Sequence, residues 1–219
     1  NETVTFNYDR GRKFMVVAMD NEETASVAFG KLASEFVRTQ VVPELDAFRF
    51  ATYAGISGIS TATAATLSDG AGVITALRTA TNEMDEDEVP LENRVLFITP
   101  TLHGMIQDMD TTKSREVISR FSDIKLVPQT RFYTAIDLKD GTSSGEEVGG
   151  YAKASAGKDI NFMVIHKPAT IQYLKHTVNK IFSPAENQDA DAWKFNYRAY
   201  GLVDAYENKV SGIYLHNKA

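Results

Sequence analysis

The sequence predicts an α+β fold, and three observations carry that prediction. Strand-like patterns gather at the two ends of the chain, before Asp20 and again from Ile160 onward. A single long helical stretch, Asp20 to Ile56, follows the first strands, and a mixed helix-and-strand body follows it. The regular strand–helix–strand alternation of a doubly wound sheet is missing. With 219 residues, 43% of them hydrophobic, the chain has enough apolar surface for a sizeable core in one or two domains.

In residues 1–19, Val4, Phe6 and Tyr8 alternate with Thr3, Thr5 and Asn7, as a half-buried strand does. Arg10-Gly11-Arg12 reads as a turn and Phe14 to Met19 as a second strand, so a β-hairpin is expected here. It would be one arm of a projecting loop. Its basic tip, Arg10, Arg12 and Lys13, suits either a grip on a neighbour's carboxylates or plain solvation.

The helical stretch opens on a capping-box pattern, Asp20 with Glu23 three residues later. Phe29, Leu32 and Phe36 share one face; Lys31, Glu35 and Arg38 share the opposite one at spacings that allow ion pairing. Pro43 removes a backbone donor and crowds the carbonyl four residues back, so it should end or kink the helix. At 100° per residue, however, Asp46 and Arg49 continue the charged stripe beyond it, while the apolar stripe swings to Val41, Leu45 and Phe48. The expectation is one helix, kinked at most, about 50 Å long. That is longer than a compact domain of this size is wide. No heptad is sustained across the proline, which favours a strut over a coiled coil.

Gly55 to Gly72 is rich in Gly, Ser, Thr and Ala and reads as a loop or domain boundary. Helices are expected over Gly72–Met84, from a Thr99 cap and Pro100 to Met109, and over Ser114–Arg120. Strands are expected over Arg94–Ile98, Ile124–Val127 and Arg131–Leu138, before a glycine-rich, mobile loop, Asp140–Gly150. The last third reads as strands: Ile160–His166, Ile171–Leu174, Val178–Phe182, and a long one over Trp193–Tyr206. Lys209–His216 should return antiparallel to it through a Glu207-Asn208 turn.

No chemistry stands out. The chain has no cysteine, hence no disulfide or zinc–thiolate site. Its four histidines, His103, His166, His176 and His216, lie far apart without metal-ligand spacing; His166 and His216 end strands and read as structural. Gly70-Ala71-Gly72 lacks the third glycine and preceding strand of a dinucleotide fingerprint. Gly55-Ile56-Ser57-Gly58 and Ser155 fail the nucleophile-elbow pattern. The acidic run Asp85–Glu88 lacks the alternating ligands of a calcium loop. Asp159 and Glu186 have no legible partner for acid–base work. The net charge of −6 argues against a general grip on nucleic-acid phosphates, and no apolar run is long enough to span a membrane. No cofactor is expected. The residues by themselves thus favour a structural or assembly role over an enzyme, without excluding a site built from residues distant in sequence.

Specific runs add a resemblance. Phe182-Ser183-Pro184, Asn187-Gln188-Asp189-Ala190-Asp191, Ala192-Trp193-Lys194-Phe195, Tyr197-Arg198 and Asn208-Lys209 leading to Gly212-Ile213-Tyr214 resemble the major capsid proteins of tailed phages and prophages. So do Tyr8-Asp9-Arg10-Gly11-Arg12-Lys13-Phe14, Asp20-Asn21-Glu22-Glu23-Thr24, Val42-Pro43-Glu44-Leu45-Asp46, Val89-Pro90 and Arg94-Val95-Leu96-Phe97.

The resemblance implies the Hong Kong 97-type capsid fold. A peripheral P-domain would carry a long spine helix and β-sheet, an axial A-domain would sit near the capsomer centre, and an extended E-loop would reach neighbours. Residues 1–19 would be the returning part of the E-loop, 20–56 the spine helix, about 57–165 the A-domain, and 166–219 the β-rich return to the P-domain. The family has further sequence ahead of this point, so the chain reads as a trimmed or processed piece of a longer product. The implied function is a shell subunit, forming pentamers and hexamers of an icosahedral head around DNA, with scaffolding and portal proteins as partners. Assembly would take place in the bacterial cytoplasm, and no membrane would be involved. An encapsulin-type nanocompartment shell shares the fold and is the alternative. Lys13 and Asn208 carry no motif for the isopeptide crosslink of some relatives. Intersubunit contacts are expected at Arg10, Arg12, Lys13, Lys31, Glu35, Arg38, Asp46 and Arg49.

Overall fold

A computed structural model describes residues 2–23, 27–109 and 111–219. Ten strands and six α-helices are seen among them. In chain order these are β1 (Tyr8–Val17), α1 (Ala18–Glu23), α2 (Ala28–Phe36), a π-helical segment (Val37–Val41), α3 (Val42–Ala54) and β2 (Ser60–Thr61). Then come α4 (Gly70–Glu86), β3 (Arg94–Ile98), α5 (Pro100–Met109), α6 (Thr112–Ile118), β4 (Asp123–Leu126), β5 (Ile136–Leu138) and β6 (Tyr151–Lys153). The chain closes with β7 (Ile160–His166), β8 (Thr170–Phe182), β9 (Ala192–Ala205) and β10 (Ile213–Asn217). It divides into two compact units, residues 3–45 with 172–203, and residues 46–171 with 204–219.

The first unit is built on a three-stranded sheet in the order β1–β9–β8. β1 is one continuous antiparallel partner of β9, from Tyr8 opposite Gly201 to Val17 opposite Ala192. The expected hairpin is therefore not formed: Gly11, placed in its turn, sits opposite Arg198 in mid-strand. Local Arg-Gly-Arg composition loses here to pairing with a long strand from the far end of the chain. α2 lays Phe29 and Phe36 on this sheet. Phe14 stacks on Phe195 at 4.8 Å and meets Phe36 edge-on at 5.6 Å, while Phe29 lies 5.8 Å from Trp193. Aromatic pairs in such offset and edge-on arrangements gain beyond their buried area. Leu32, expected inside with Phe29 and Phe36, is exposed.

The helical stretch also departs from expectation at its start. Asp20 is the third residue of α1 and does not cap a long helix; Ala18, where α1 begins, donates its amide to the Asp191 carbonyl. The buried Asn21 accepts from the Phe29 amide at 3.1 Å and so ties α1 to α2. The expected continuity through 24–26 falls outside the described residues. From Ala28 onward the helix runs on past Pro43 to Ala54, and the π-helical segment just before Pro43 is how it does so. The Val42 amide reaches the carbonyl of Val37, five residues back. This wider turn relieves the crowding that a proline ring imposes on the preceding α-turn. One inserted residue also rotates everything after it by about 100°. The apolar residues buried beyond the insertion are accordingly Ala47, Phe50 and Tyr53, whereas the stripe expected there, Val41, Leu45 and Phe48, is only partly covered.

The second unit holds a five-stranded sheet, order β2–β10–β7–β3–β4. β7 is antiparallel to both β10 and β3; β2 and β4 run parallel to their neighbours. Every residue of β7, INFMVIH, is buried. Alternate residues Phe162 and Val164 join Leu96, Ile98 and Tyr214 in one core with Val73, Leu77, Met84, Leu102, Ile106 and Val117 of α4, α5 and α6. On the opposite face Phe97 meets Phe50 of α3 edge-on at 5.3 Å. A strand buried on both faces reads as an unbroken apolar run, which is why Arg94–Ile98 and Ile160–His166 were legible to the residue.

Several local signals matter in this unit. Asp69 caps α4 by accepting from the Gly72 amide at 2.6 Å, so the helix begins two residues before the expected Gly72. Gly70 is required because a Cβ there would clash with the backbone carbonyl of Met105 in α5, with the Met109 side chain also in the way at 2.7 Å. Thr111 and Ser114 form a reciprocal capping box at α6. The Arg131–Leu138 strand shrinks to β5, preceded by a short 3-10 turn at Gln129–Arg131. The two short strands expected over 171–182 are one, β8. The largest correction concerns Lys209–His216. Residues Glu207–Gly212 form a 3-10 segment, and β10 pairs with β7 instead of folding back on β9.

Candidate assembly surfaces

The buried polar groups in the second unit are satisfied in ways that suit structure. The wholly buried Arg94 donates to the carbonyls of Pro90 (3.0 Å) and Val89, and pairs with Asp85 at 2.8 Å. Asp85 also pairs with Arg120, and these hydrogen bonds hold its carboxyl below the usual range against the opposing effect of desolvation. The run Asp85–Glu88 thus ends a helix and anchors a buried arginine. His216 stacks on Phe162 at 4.9 Å and its Nδ1 meets the Asn161 side-chain amide at 3.0 Å. Burial lowers its pKa; His166 is lowered by burial and by the nearby positive charges of Arg94 and Lys209. Among the described residues no group of three or more metal-ligating side chains gathers.

The eight residues expected at intersubunit contacts divide by environment. Arg10, half-buried in the first unit, is held by a bidentate pair with Glu44 at 2.6 and 2.9 Å, to which the Tyr8 hydroxyl adds a 3.3 Å bond. Burial and the Glu44 charge raise the Tyr8 and Tyr197 pKa values. Asp46, in the second unit, receives Arg131 at 3.0 Å and lies 4.0 Å from Arg49. These three therefore serve first as internal ion pairs.

Arg12, Lys13, Lys31, Glu35 and Arg38 remain exposed. Glu35 and Arg38 pair at 2.6 Å one turn apart, where solvent screens them. In the second unit Asp46 and Arg49 are half-buried, so the charged stripe expected from Lys31 to Arg49 is not uniformly exposed.

Sequence reading did not single out Glu44 and Arg131, the partners that take Arg10 and Asp46, because the pairings span 34 and 85 positions. It also missed the open surface of the three-stranded sheet. β8 is an outer strand exposing Tyr173, Leu174 and Ile181, and β1, the other outer strand, exposes Met15 and Val17. Long, exposed outer strands with apolar side chains invite pairing with another chain. Within β8 these apolar residues are interleaved with Lys175, His176 and Lys180, and that mixed pattern was the available signal.

No protein-family model matches the sequence, and no curated protein matches it. Solved structures do. A Mycobacterium phage Che8 structure aligns over 96% of this chain and 70% of its own, with a TM-score of 0.62 and 11% identity. A virus-like particle from Pyrococcus furiosus aligns over 98% and 77%, TM-score 0.64, 10% identity. The capsid of cyanophage P-SCSP1u aligns over 99% and 73%, TM-score 0.58, 13% identity. The likeness is one of fold, and it runs through nearly the whole chain. The chain has the α+β fold of phage capsid structures, as expected for the Hong Kong 97 type.

Proposed function

We propose that this chain is a major capsid protein subunit that assembles with copies of itself into the pentamers and hexamers of an icosahedral phage head enclosing DNA. The observation that carries the reading is the likeness in fold to several phage capsid structures over nearly the whole of this chain. The exposed outer strands and the exposed charges of β1 and α2 support it as surfaces available for contact. In this reading the protein performs no catalysis, binds no cofactor, and resides in the virion after assembly in the host bacterial cytoplasm with scaffolding and portal proteins. Among the described residues no helix is long and apolar enough to cross a membrane.

Residues 20–56 would act as the spine helix, 1–19 as E-loop, about 57–165 as A-domain and 166–219 as P-domain return. Arg10, Arg12, Lys13, Lys31, Glu35, Arg38, Asp46 and Arg49 would contribute to intersubunit contacts, the exposed five directly and the internally paired three by fixing the surfaces around them. The acidic balance suits a wall that must not bind the packaged phosphates, since like charge repels them.

The test is negative-stain electron microscopy of the full-length gene product, alone and co-expressed with its neighbouring genes. Shells or capsomers are expected. Monomers alone, across salt and crowding conditions, would overturn the reading. A nanocompartment shell of encapsulin type is the second reading, and the similar virus-like particle fits a shell of either kind. Protein cargo in purified particles, in place of nuclease-protected DNA, would select it.

A further inference from the structure

One cleft and one loop, both in the second unit, carry complementary chemistry that no contact described above uses. A cleft of about 620 Å3 opens between α4, the end of α5 and the start of α6. Ile74 and Met109 supply apolar lining, Thr75 a hydroxyl, and Arg78 and Lys113 two cations. Among the described residues neither cation takes part in an ion pair. The volume lies within the range of sites that enclose a side chain or small ligand.

The loop between β5 and β6 presents the opposite pattern. Val148 is 86% exposed, more than any other large hydrophobic residue described, and it follows Glu146 and Glu147 directly. The loop is knitted by its own hydrogen bonds. Asp140 accepts from the amides of Thr142 and Ser143 at 2.6 and 2.7 Å, and Glu146 accepts from the Asp140 amide at 3.1 Å. Glu147 accepts from the Gly145 amide at 3.0 Å, and backbone hydrogen bonds hold its carboxyl below the usual range. An apolar side chain flanked by two carboxylates is thus displayed on a turn whose shape is set locally.

We propose that Val148 of one copy docks into this cleft of a neighbouring copy, with Glu146 and Glu147 meeting Arg78 and Lys113. The occupant is a second copy of this chain, because the loop matches the cleft in both charge and polarity. Donor and acceptor patches differ, so the contact is head-to-tail, the kind that repeats around a closed ring. The inference rests on the shell reading for its biological setting, since pentamers and hexamers are such rings, but its chemistry can be tested separately.

The absence of cysteine makes covalent trapping clean. Thr75→Cys protein is mixed with Val148→Cys protein under mild oxidation, and disulfide-linked heterodimer is followed on non-reducing gels. It should form at least about tenfold faster than between Thr75→Cys and a Tyr206→Cys control, the margin that docking gives over random collision. Adding Arg78→Glu and Lys113→Glu to the Thr75→Cys protein, which leaves the loop intact, should remove that advantage. Glu146→Gln and Glu147→Gln in the Val148→Cys protein, which keep oxygen acceptors for the Asp140 and Gly145 amides, should reduce it too. Trapping no faster than the control, or unaffected by the charge changes, overturns the contact. Shells without trapping would sink the contact and leave the shell reading intact. Trapping without shells would do the reverse, and the failure of both would remove both.

Discussion

The two sheets of this protein are finished to different degrees. The five-stranded sheet is sealed at its centre, though its outer strand β4 leaves Leu126 exposed: β7 is buried along its whole length, α4–α6 cover one face, and Phe50 of α3 packs on the other. In the three-stranded sheet α2 covers part of one face with aromatic side chains, yet β8 leaves most of its residues in solvent. A sheet that buries both faces within its own chain has its stability built in. A sheet that leaves apolar outer strands exposed keeps surface that only another chain can cover.

The sharpest way to break this contrast is to cut the same kind of side chain from each sheet. Phe162→Ala, in the sealed core, should cost about 3–5 kcal/mol in urea unfolding. Tyr173→Ala, on the open strand, should leave the unfolding midpoint nearly unchanged while weakening assembly of the full-length product. Equal losses from the two would erase the distinction.

Arg94→Met comes next. It removes the charge that satisfies the carbonyls of Val89 and Pro90 and pairs with Asp85, and about 3 kcal/mol should be lost because those groups stay behind unpaired. In the other unit Arg10→Ala, which strips a half-buried bidentate partner from Glu44, should cost less, about 1–2 kcal/mol. Chemical denaturation of the two variants measures the difference.

Acid should also act on the sealed unit first. His166 and His216 have pKa values lowered from the ordinary 6.5, so the folded state holds them neutral and the unfolded chain takes up protons more readily. Their contribution to stability is complete above pH 6.5 and lost as pH falls below it. A His216→Gln variant should flatten the decline in midpoint between about pH 6.5 and 5. A decline equal to that of the parent protein would rule the residue out as its source.

The smallest expected effect on folding belongs to the exposed Glu35–Arg38 pair. Reversing either charge should leave thermal unfolding unaltered and lower the yield of assembled particles from the full-length product. A sharp fall in melting temperature with assembly intact would place these residues on the folding side of the contrast.

Elements buried on two faces were legible because burial leaves a mark on every position. Arg94–Ile98 and Ile160–His166 are continuous apolar runs, and the Thr99–Pro100 start of α5 is a local backbone signal. Lys31, Glu35 and Arg38 lie on one exposed helical face, as their spacing indicates. The reading failed where partners are remote. Arg10-Gly11-Arg12 has turn composition but is held in a strand by residues nearly two hundred positions away. Lys209–His216 alternates like a hairpin arm, yet alternation does not name the neighbouring strand, and β10 joins β7.

By itself, then, the sequence determined the fold class, the positions of the deeply buried strands and the start of α5. Those depend on hydrophobic period, capping and proline geometry within a few residues. It also held the runs that resemble capsid proteins, and the structural likeness agrees with them in fold. Only the tertiary structure decided which charges are spent internally, how the helix passes Pro43 by a π-helical turn that rotates its later face, and which strands remain open. The spent charges and the open strands follow from pairing between distant segments, whose free energy is set by the neighbours that the folded chain brings together and not by any local pattern.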